Sequence, residues 1–473
     1  MTPSHEGHAG EPTVVTLARA VGAIRTRDIP SAAMRQAQLL LLDTIGCGLA
    51  GAHEEVAQAV AEVALATGGK PECPLIGRAQ KTDVLGAVLA NGAAIRVLDL
   101  NDYLIGQSNG QPETGGHPSD NIPVAVAVGA QRGCTGSDIL ASIVIGYELY
   151  ARLQRLMDRN GAWDSVTASG IVAPAMAGRL MNLSEERLAH AIALGAARAA
   201  TPAIVRSGHI SAAKSIANAL VAQSGVQAAL LAMRGITAPL PILDDKRGLR
   251  DLFADADLSL LTAPISAISA IAHAHIKAYP CVNTGQSAVA AALQLHAMLK
   301  GDTNNLTRVE LVMADYAVTK RHQEDEARLR PHSREAADHS FPFLVAVTLL
   351  DGAFGLKQFE NERWRDPRVT ALMEKIVMRR DAGWNARAPG AFPCSLRATA
   401  SDDREWTAEV PYPPGFSKEG LDETTTIEKF HAIAAPVFGH GACDGIVDAV
   451  MEFHHSQSTA TLDAAIAIEG TFT

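Results

Sequence analysis

From Val14 to about residue 264, apolar residues recur at three- and four-residue intervals, broken by Pro and Gly at distances that suit the connections of an α-helical bundle. Pro30 and Ser31 open one predicted helix, whose Met34, Leu39, Leu40 and Ile45 run up to Gly46, Gly48 and Gly51, glycines expected to end it. A second opens at Ser184, a hydroxyl cap followed by Glu185 and Glu186 at the positive end of the helix dipole. A third covers residues 211–233 and stops at Gly235, a residue able to take the left-handed C-cap conformation.

Around residues 274–277 the period changes. Past a further helix at 286–299, short β-branched runs appear at 309–313, 376–378, 395–400 and 405–410, the last two separated by the polar turn Ser401-Asp-Asp-Arg. Helices are expected between them at 338–352 and 368–375, and again at 425–453 after the breaker Pro411-Tyr-Pro-Pro-Gly. The fold class that follows is mainly α: a large all-helical domain formed by both chain ends, residues 13–273 and 412–473, with a smaller α/β lid domain, 274–411, inserted. Residues 1–12 are expected to be a flexible N-terminus.

Composition narrows the function classes. Against 51 Asp and Glu the chain sets 41 Lys and Arg, a formal net charge of −10, which argues against nucleic acid or an anionic membrane surface as partner. Apolar runs are interrupted before the roughly 18–20 residues of a membrane span, as at 85–98 by Asn91 and Arg96, so no membrane partner is expected. The N-terminus lacks the basic start and apolar run of a signal, and a cytoplasmic location is the expectation. Six widely spaced cysteines match neither a zinc nor an iron–sulfur pattern and read as reduced, mostly buried thiols.

Candidate chemistry gathers in a few places. Asp99-Leu-Asn-Asp-Tyr and His117-Pro-Ser-Asp-Asn put carboxylates, a phenol and an imidazole between two apolar helices, joined by a Gly-rich loop at 106–116 of mobile or Ω-like character. Asp99 and His117 are read as chemical, Asp120 and Asn121 as caps of the helix that follows. Arg206-Ser207-Gly-His leads to Lys214 on the first turn of a helix, where a cation opposes the dipole and calls for an anion. Lys277-Ala-Tyr-Pro-Cys stands at the domain junction, where ligand clefts are favoured, and Asp315-Tyr316 is followed by Lys320 and Arg321. Dinucleotide, Walker, zincin and serine-elbow motifs are absent from the sequence, so no cofactor and no metal are expected, and the remaining groups suit proton transfer on a small polyanion.

Leu41-Leu-Asp-Thr-Ile-Gly-Cys-Gly-Leu-Ala-Gly, the Asp99 and His117 segments, the Lys214 helix, Lys277-x-Tyr-Pro-Cys with Gln286-Ser-Ala-Val, and Ala337-Asp-His-Ser-Phe-Pro-Phe with Leu349-Leu-Asp-Gly resemble the MmgE/PrpD family. That family includes 2-methylcitrate dehydratase, cis-aconitate decarboxylase and iminodisuccinate epimerase. The resemblance implies a helical domain with an α/β lid and a metal-free homodimer acting on a small polycarboxylate. It also implies catalytic positions at Asp99, His117, Lys214, Lys277 and Tyr316, with Asp102 and Tyr103 nearby; Arg206 and Ser207, from the segment that leads to Lys214, are expected to bind substrate with them. On that pattern Lys214 and Lys277 hold substrate carboxylates, Asp99 and His117 move the proton, and Tyr316 donates to a leaving hydroxyl or a carboxylate. Dehydration of 2-methylcitrate or a related hydroxy-tricarboxylate is the leading expectation; an epimerase or decarboxylase, and a non-catalytic helical binding protein, are the alternatives. Trp163, with Asp164 and Ser165, stands where the decarboxylases carry a histidine. Because Lys277 and Tyr316 belong to the lid and Asp99, His117 and Lys214 to the body, closure of the lid is expected to assemble the site.

Overall fold

The computed structural model describes residues 10–108, 111–157, 162–263, 270–387, 390–416 and 420–468. It is mainly helical with one small mixed sheet, as the periodicity predicts. The larger apolar core draws on residues from Val14 to Ile276 and again from Leu421 to Ile466, and a second core runs from Cys281 to Val410.

The helix opened by Ser31 continues through all three glycines to Gly51. They are packing positions: a Cβ on Gly46 would meet the Phe430 ring at 2.8 Å, and one on Gly51 would lie 2.1 Å from the Ala94 carbonyl oxygen. Glycine therefore lets this helix lie against helices Val84–Arg96 and Glu423–Phe438 at contact distance. The Ser184 cap is confirmed, its Oγ accepting from the Arg187 amide at the start of Glu185–Ala196. Helix Ala213–Met233 follows as expected and corrects one reading: by length and hydropathy it would span a membrane, but more than half of that apolar window is buried inside the protein.

Four short strands precede the sheet. β1 (Cys73–Leu75) and β2 (Arg78–Thr82) form an antiparallel hairpin that the sequence pattern did not reveal. β3 (Ile105–Ser108) and β4 (Gln111–Thr114) form another, so the expected loop at 106–116 is a hairpin, its residues 109–110 lying outside the described residues. The sheet itself has the order β6-β5-β7-β8, with β5 (Leu306–Ala314), β6 (Ile376–Asp381), β7 (Cys394–Ala400) and β8 (Glu405–Val410). β5 runs parallel to β6 and antiparallel to β7, which forms the expected hairpin with β8.

Helix Gln286–Leu299 packs against this sheet, and Phe341–Asp351 packs in turn against that helix within the second core. The helix expected at 338–352 begins only at Phe341, capped by Ser340 Oγ on the Phe343 amide, which leaves Asp338 and His339 on the turn before it. The C-terminal helical stretch is two helices, Glu423–Phe438 and His440–Met451, divided by Gly439 at φ +80°. None of the six cysteines forms a disulfide.

Candidate active site

Helix Val84–Arg96 delivers Arg96 at its last turn, and the chain then turns sharply at Asp99, a non-glycine residue in the left-handed region at φ +51°. That turn aims the Asp99 carboxylate back at Arg96 Nη1, with Arg96 itself 2% exposed. Lys277 Nζ donates to the Asp99 carbonyl oxygen at 2.8 Å and to its Oδ1. Lys214 Nζ reaches Asp99 Oδ2 at 3.0 Å and both oxygens of Asp338 at 2.9 Å. Arg96 Nε lies 3.7 Å from Asp120 Oδ2, and Asp120 Oδ1 accepts from Asn101 Nδ2 at 2.8 Å.

The result is a buried cluster in which three carboxylates face three cations. Burial alone would raise the Asp99 pKa, but Arg96, Lys214 and Lys277 hold the carboxyl well below its usual range. Asp99 is thus a paired anion whose carboxylate oxygens are already engaged by Arg96, Lys214 and Lys277. Burial lowers the Lys277 pKa, against the pull of Asp99.

His117, on the extended residue before Pro118, turns its Nδ1 to the Asp102 carbonyl oxygen. A carbonyl only accepts, so Nδ1 carries the proton and Nε2 is left as the basic nitrogen. Burial, Arg96 and Lys277 push this imidazole well below its usual pKa and keep it neutral. His339, to which the sequence motif gives no role, is a second neutral imidazole: burial and then Lys214 lower it to about 4, while its Nδ1 faces Asp338 Oδ1.

His117, Asp99, Arg96, Lys277 and His339 all line one cavity of about 940 Å³, near the upper end of the roughly 300–1,000 Å³ usual for small-molecule sites. Arg206 and Ser207 line it too, as expected, with Arg206 Nε on Asp164 Oδ2 at 2.7 Å. From the hairpin, Glu113 enters the wall and accepts from Arg321 Nη2 at 2.7 and 2.8 Å.

Four expected positions lie off this cavity. Lys214 is 1% exposed behind Asp99, where it pairs with the carboxylates of Asp99 and Asp338. Asp102 is buried on Tyr147 Oη (2.7 Å) and the Ser119 amide, its pKa raised by burial to about 7. Tyr103 pairs with His275 through the backbone and packs on its ring at 5.2 Å. Tyr316 caps helix Ala317–Glu324 and stands edge-on to Phe392, its hydroxyl 3.5 Å from the Asn385 carbonyl, so no cavity acid is found there.

Asp120, read as a helix cap, belongs to the Arg96 cluster instead. Lys277 and Asp99, which the expected closure of the lid would bring together, are already in contact, and Lys214 is paired with Asp338. Asp99, Asp338 and His339 also bring metal-ligand atoms within 4.8 Å of one another. Lys214 Nζ bonds both carboxylates and supplies the positive charge that such a set invites. Arg96 had a signal in the sequence, as a charge inside an apolar run; Asp338 had none beyond its place in a quoted motif.

Two family models match the chain, the MmgE/PrpD N-terminal domain over residues 15–260 and the MmgE/PrpD C-terminal domain over 279–453. Among curated relatives, the chain is 22% identical to a cis-aconitate decarboxylase of Aspergillus terreus, over 90% of each chain. It is 26% identical to a mitochondrial 2-methylcitrate dehydratase of Yarrowia lipolytica, over 89% of this chain and 83% of the relative. A 2-methylcitrate dehydratase of Cupriavidus necator matches at 25%, over 84% and 85%.

Proposed function

Because the chain belongs to the MmgE/PrpD family, we propose that it is a lyase that removes a proton beside a carboxylate of a small hydroxy acid and expels the hydroxyl as water. The observation that carries this reading is His117, a neutral imidazole whose Nδ1 is committed to the Asp102 carbonyl and whose ring lines a cavity beside cations. Nε2 takes the proton from carbon. The charge that develops on the adjacent carboxylate meets Lys277 and Arg96, both fixed before reaction.

With Tyr316 turned to Asn385, the imidazolium of His117 is the acid at hand. It returns the proton to the departing hydroxyl as the C–O bond breaks, which leaves an alkene, a water and a neutral His117. The same observation supports a second reading: a base with no separate acid also serves an epimerase, which puts the proton back on carbon.

The first compounds to try are those the relatives are named for, 2-methylcitrate and cis-aconitate, together with iminodisuccinate. Proton NMR in heavy water distinguishes the outcomes: a new vinylic signal for dehydration, deuterium at the α carbon without net change for epimerisation, loss of carboxylate for decarboxylation. His117→Ala is expected to lower the rate by about 10²–10⁴-fold while the thermal melt stays near that of the parent. Equal rates for parent and variant would end the assignment of His117 as the base.

A further inference from the structure

His117 owes its tautomer to one backbone carbonyl, that of Asp102, so whatever fixes the segment around Asp102 also fixes the base. The segment begins at the Asp99 turn, where a non-glycine residue at φ +51° persists only because its surroundings hold it. Two lysines hold the carbonyls that follow. Lys277 Nζ donates to that of Asp99 at 2.8 Å, and Lys429 Nζ donates to that of Leu100 at 2.9 Å. Farther on, Tyr103 is tied to His275 by two backbone hydrogen bonds, of 2.8 and 2.9 Å.

Lys277 lines the cavity, whereas Lys429 stands outside it. Lys429 reaches the segment from helix Glu423–Phe438, 329 positions along the chain from Leu100. Its ammonium also pairs with Asp43 of helix Ser31–Gly51, a carboxylate only 1% exposed. Among the described residues, neither Asp43 oxygen has another polar partner. Burial opposes the charge on Lys429, but Asp43 holds its pKa above the usual value. An apolar pair of the same volume often matches a buried ion pair in stability, so stability alone does not account for this one. Its place does. The Leu100 carbonyl lies between the strained turn at Asp99 and the carbonyl of Asp102, and a shift there is passed on to the His117 ring.

We propose that Lys429, with Asp43 as its counter-ion, is a positioning residue of the active site: by pinning the Leu100 carbonyl it keeps the Asp102 carbonyl aimed at His117 and the proton on Nδ1. This rests on the reading of His117 as the base and adds what holds that base in its reactive form.

The test is ring-nitrogen NMR at neutral pH on the full chain with isotope-labelled histidine, the His117 signals being identified by their loss in His117→Ala. Lys429→Met strands the buried Asp43 charge, so it is combined with Asp43→Asn. Asp43→Asn alone is the control that keeps the ammonium on Leu100. Parent and control are expected to show His117 as a single Nδ1–H tautomer, and the double variant a mixture with the Nε2–H form. On whichever of 2-methylcitrate, cis-aconitate or iminodisuccinate the parent turns over, the double variant is expected to lose about 10- to 100-fold in kcat with KM within about twofold. Lys429→Met with Asp43→Leu, an apolar pair, gives the same reading if the asparagine is not tolerated. A folded double variant that keeps the single tautomer, a loss confined to KM, or a control as disturbed as the double variant would overturn the proposal. No turnover by a parent that carries the expected tautomer would count against the lyase reading and leave the positioning in place.

Discussion

Two buried groups near His117 make opposite pH signatures that single substitutions separate. His339 is held at about 4 in the folded chain, below its ordinary 6.5, by burial and by Lys214, with Asp338 and Asp99 pulling the other way. The stabilising contribution of its neutral form is complete above pH 6.5 and is lost as pH falls toward 4; His117 and His322 act in the same direction. Asp102 is raised to about 7 by burial, so its contribution is complete below about pH 4 and is lost as pH rises through 7. Urea midpoints between pH 4.5 and 7.5 are therefore expected to fall less on acidification in His339→Gln, and to fall less on alkalinisation in Asp102→Asn. Curves parallel to the parent's in either variant would show that the residue does not titrate as its surroundings dictate.

At the scale of elements, helix Ser31–Gly51 shows how a local signal misleads. Glycine inside an apolar stretch reads as a terminator, because what it permits here, contact with a helix some forty residues on, leaves no mark on neighbouring residues. Gly51→Ala would drive a methyl group into the Ala94 carbonyl, and forcing the two helices apart is expected to cost about 1–3 kcal/mol. Chemical denaturation reads that loss, and an unchanged midpoint would mean that the helices can part freely.

Elements with a strong period of their own were legible. The β7–β8 hairpin with its polar turn and helix Gln286–Leu299 stand where the apolar pattern puts them. Hairpin β3–β4 was not, since Gly and Pro mask its alternation. In the site, Asp99, His117 and Lys277 stood out as polar residues between apolar segments. Tyr316 did not fulfil its reading, because a helix-capping tyrosine looks the same in sequence as one that faces a ligand. The engagement of Lys214 by Asp338, 124 positions away, is a tertiary fact with no local trace.

For the whole molecule that ion pair matters more than its length implies, because Lys214 extends from the larger core and Asp338 precedes a helix of the smaller one. Ser333 Oγ on the Ile210 carbonyl at 2.8 Å and Arg321 on Glu113 add further ties between the two parts. Both ends of the Lys214 pair are buried, so removing the cation leaves Asp99 and Asp338 as neighbouring carboxylates with less compensation, a loss of about 3–5 kcal/mol for Lys214→Met. Since the damage falls at the seam, the two cores are expected to melt as one calorimetric transition in the parent and to separate into two in the variant. Adding Asp338→Asn removes one of the stranded charges and is expected to restore part of the lost stability. A Lys214→Met protein that melts in one step at the parent's temperature would show that the seam is held by packing alone and that the buried charges contribute nothing net to joining the cores.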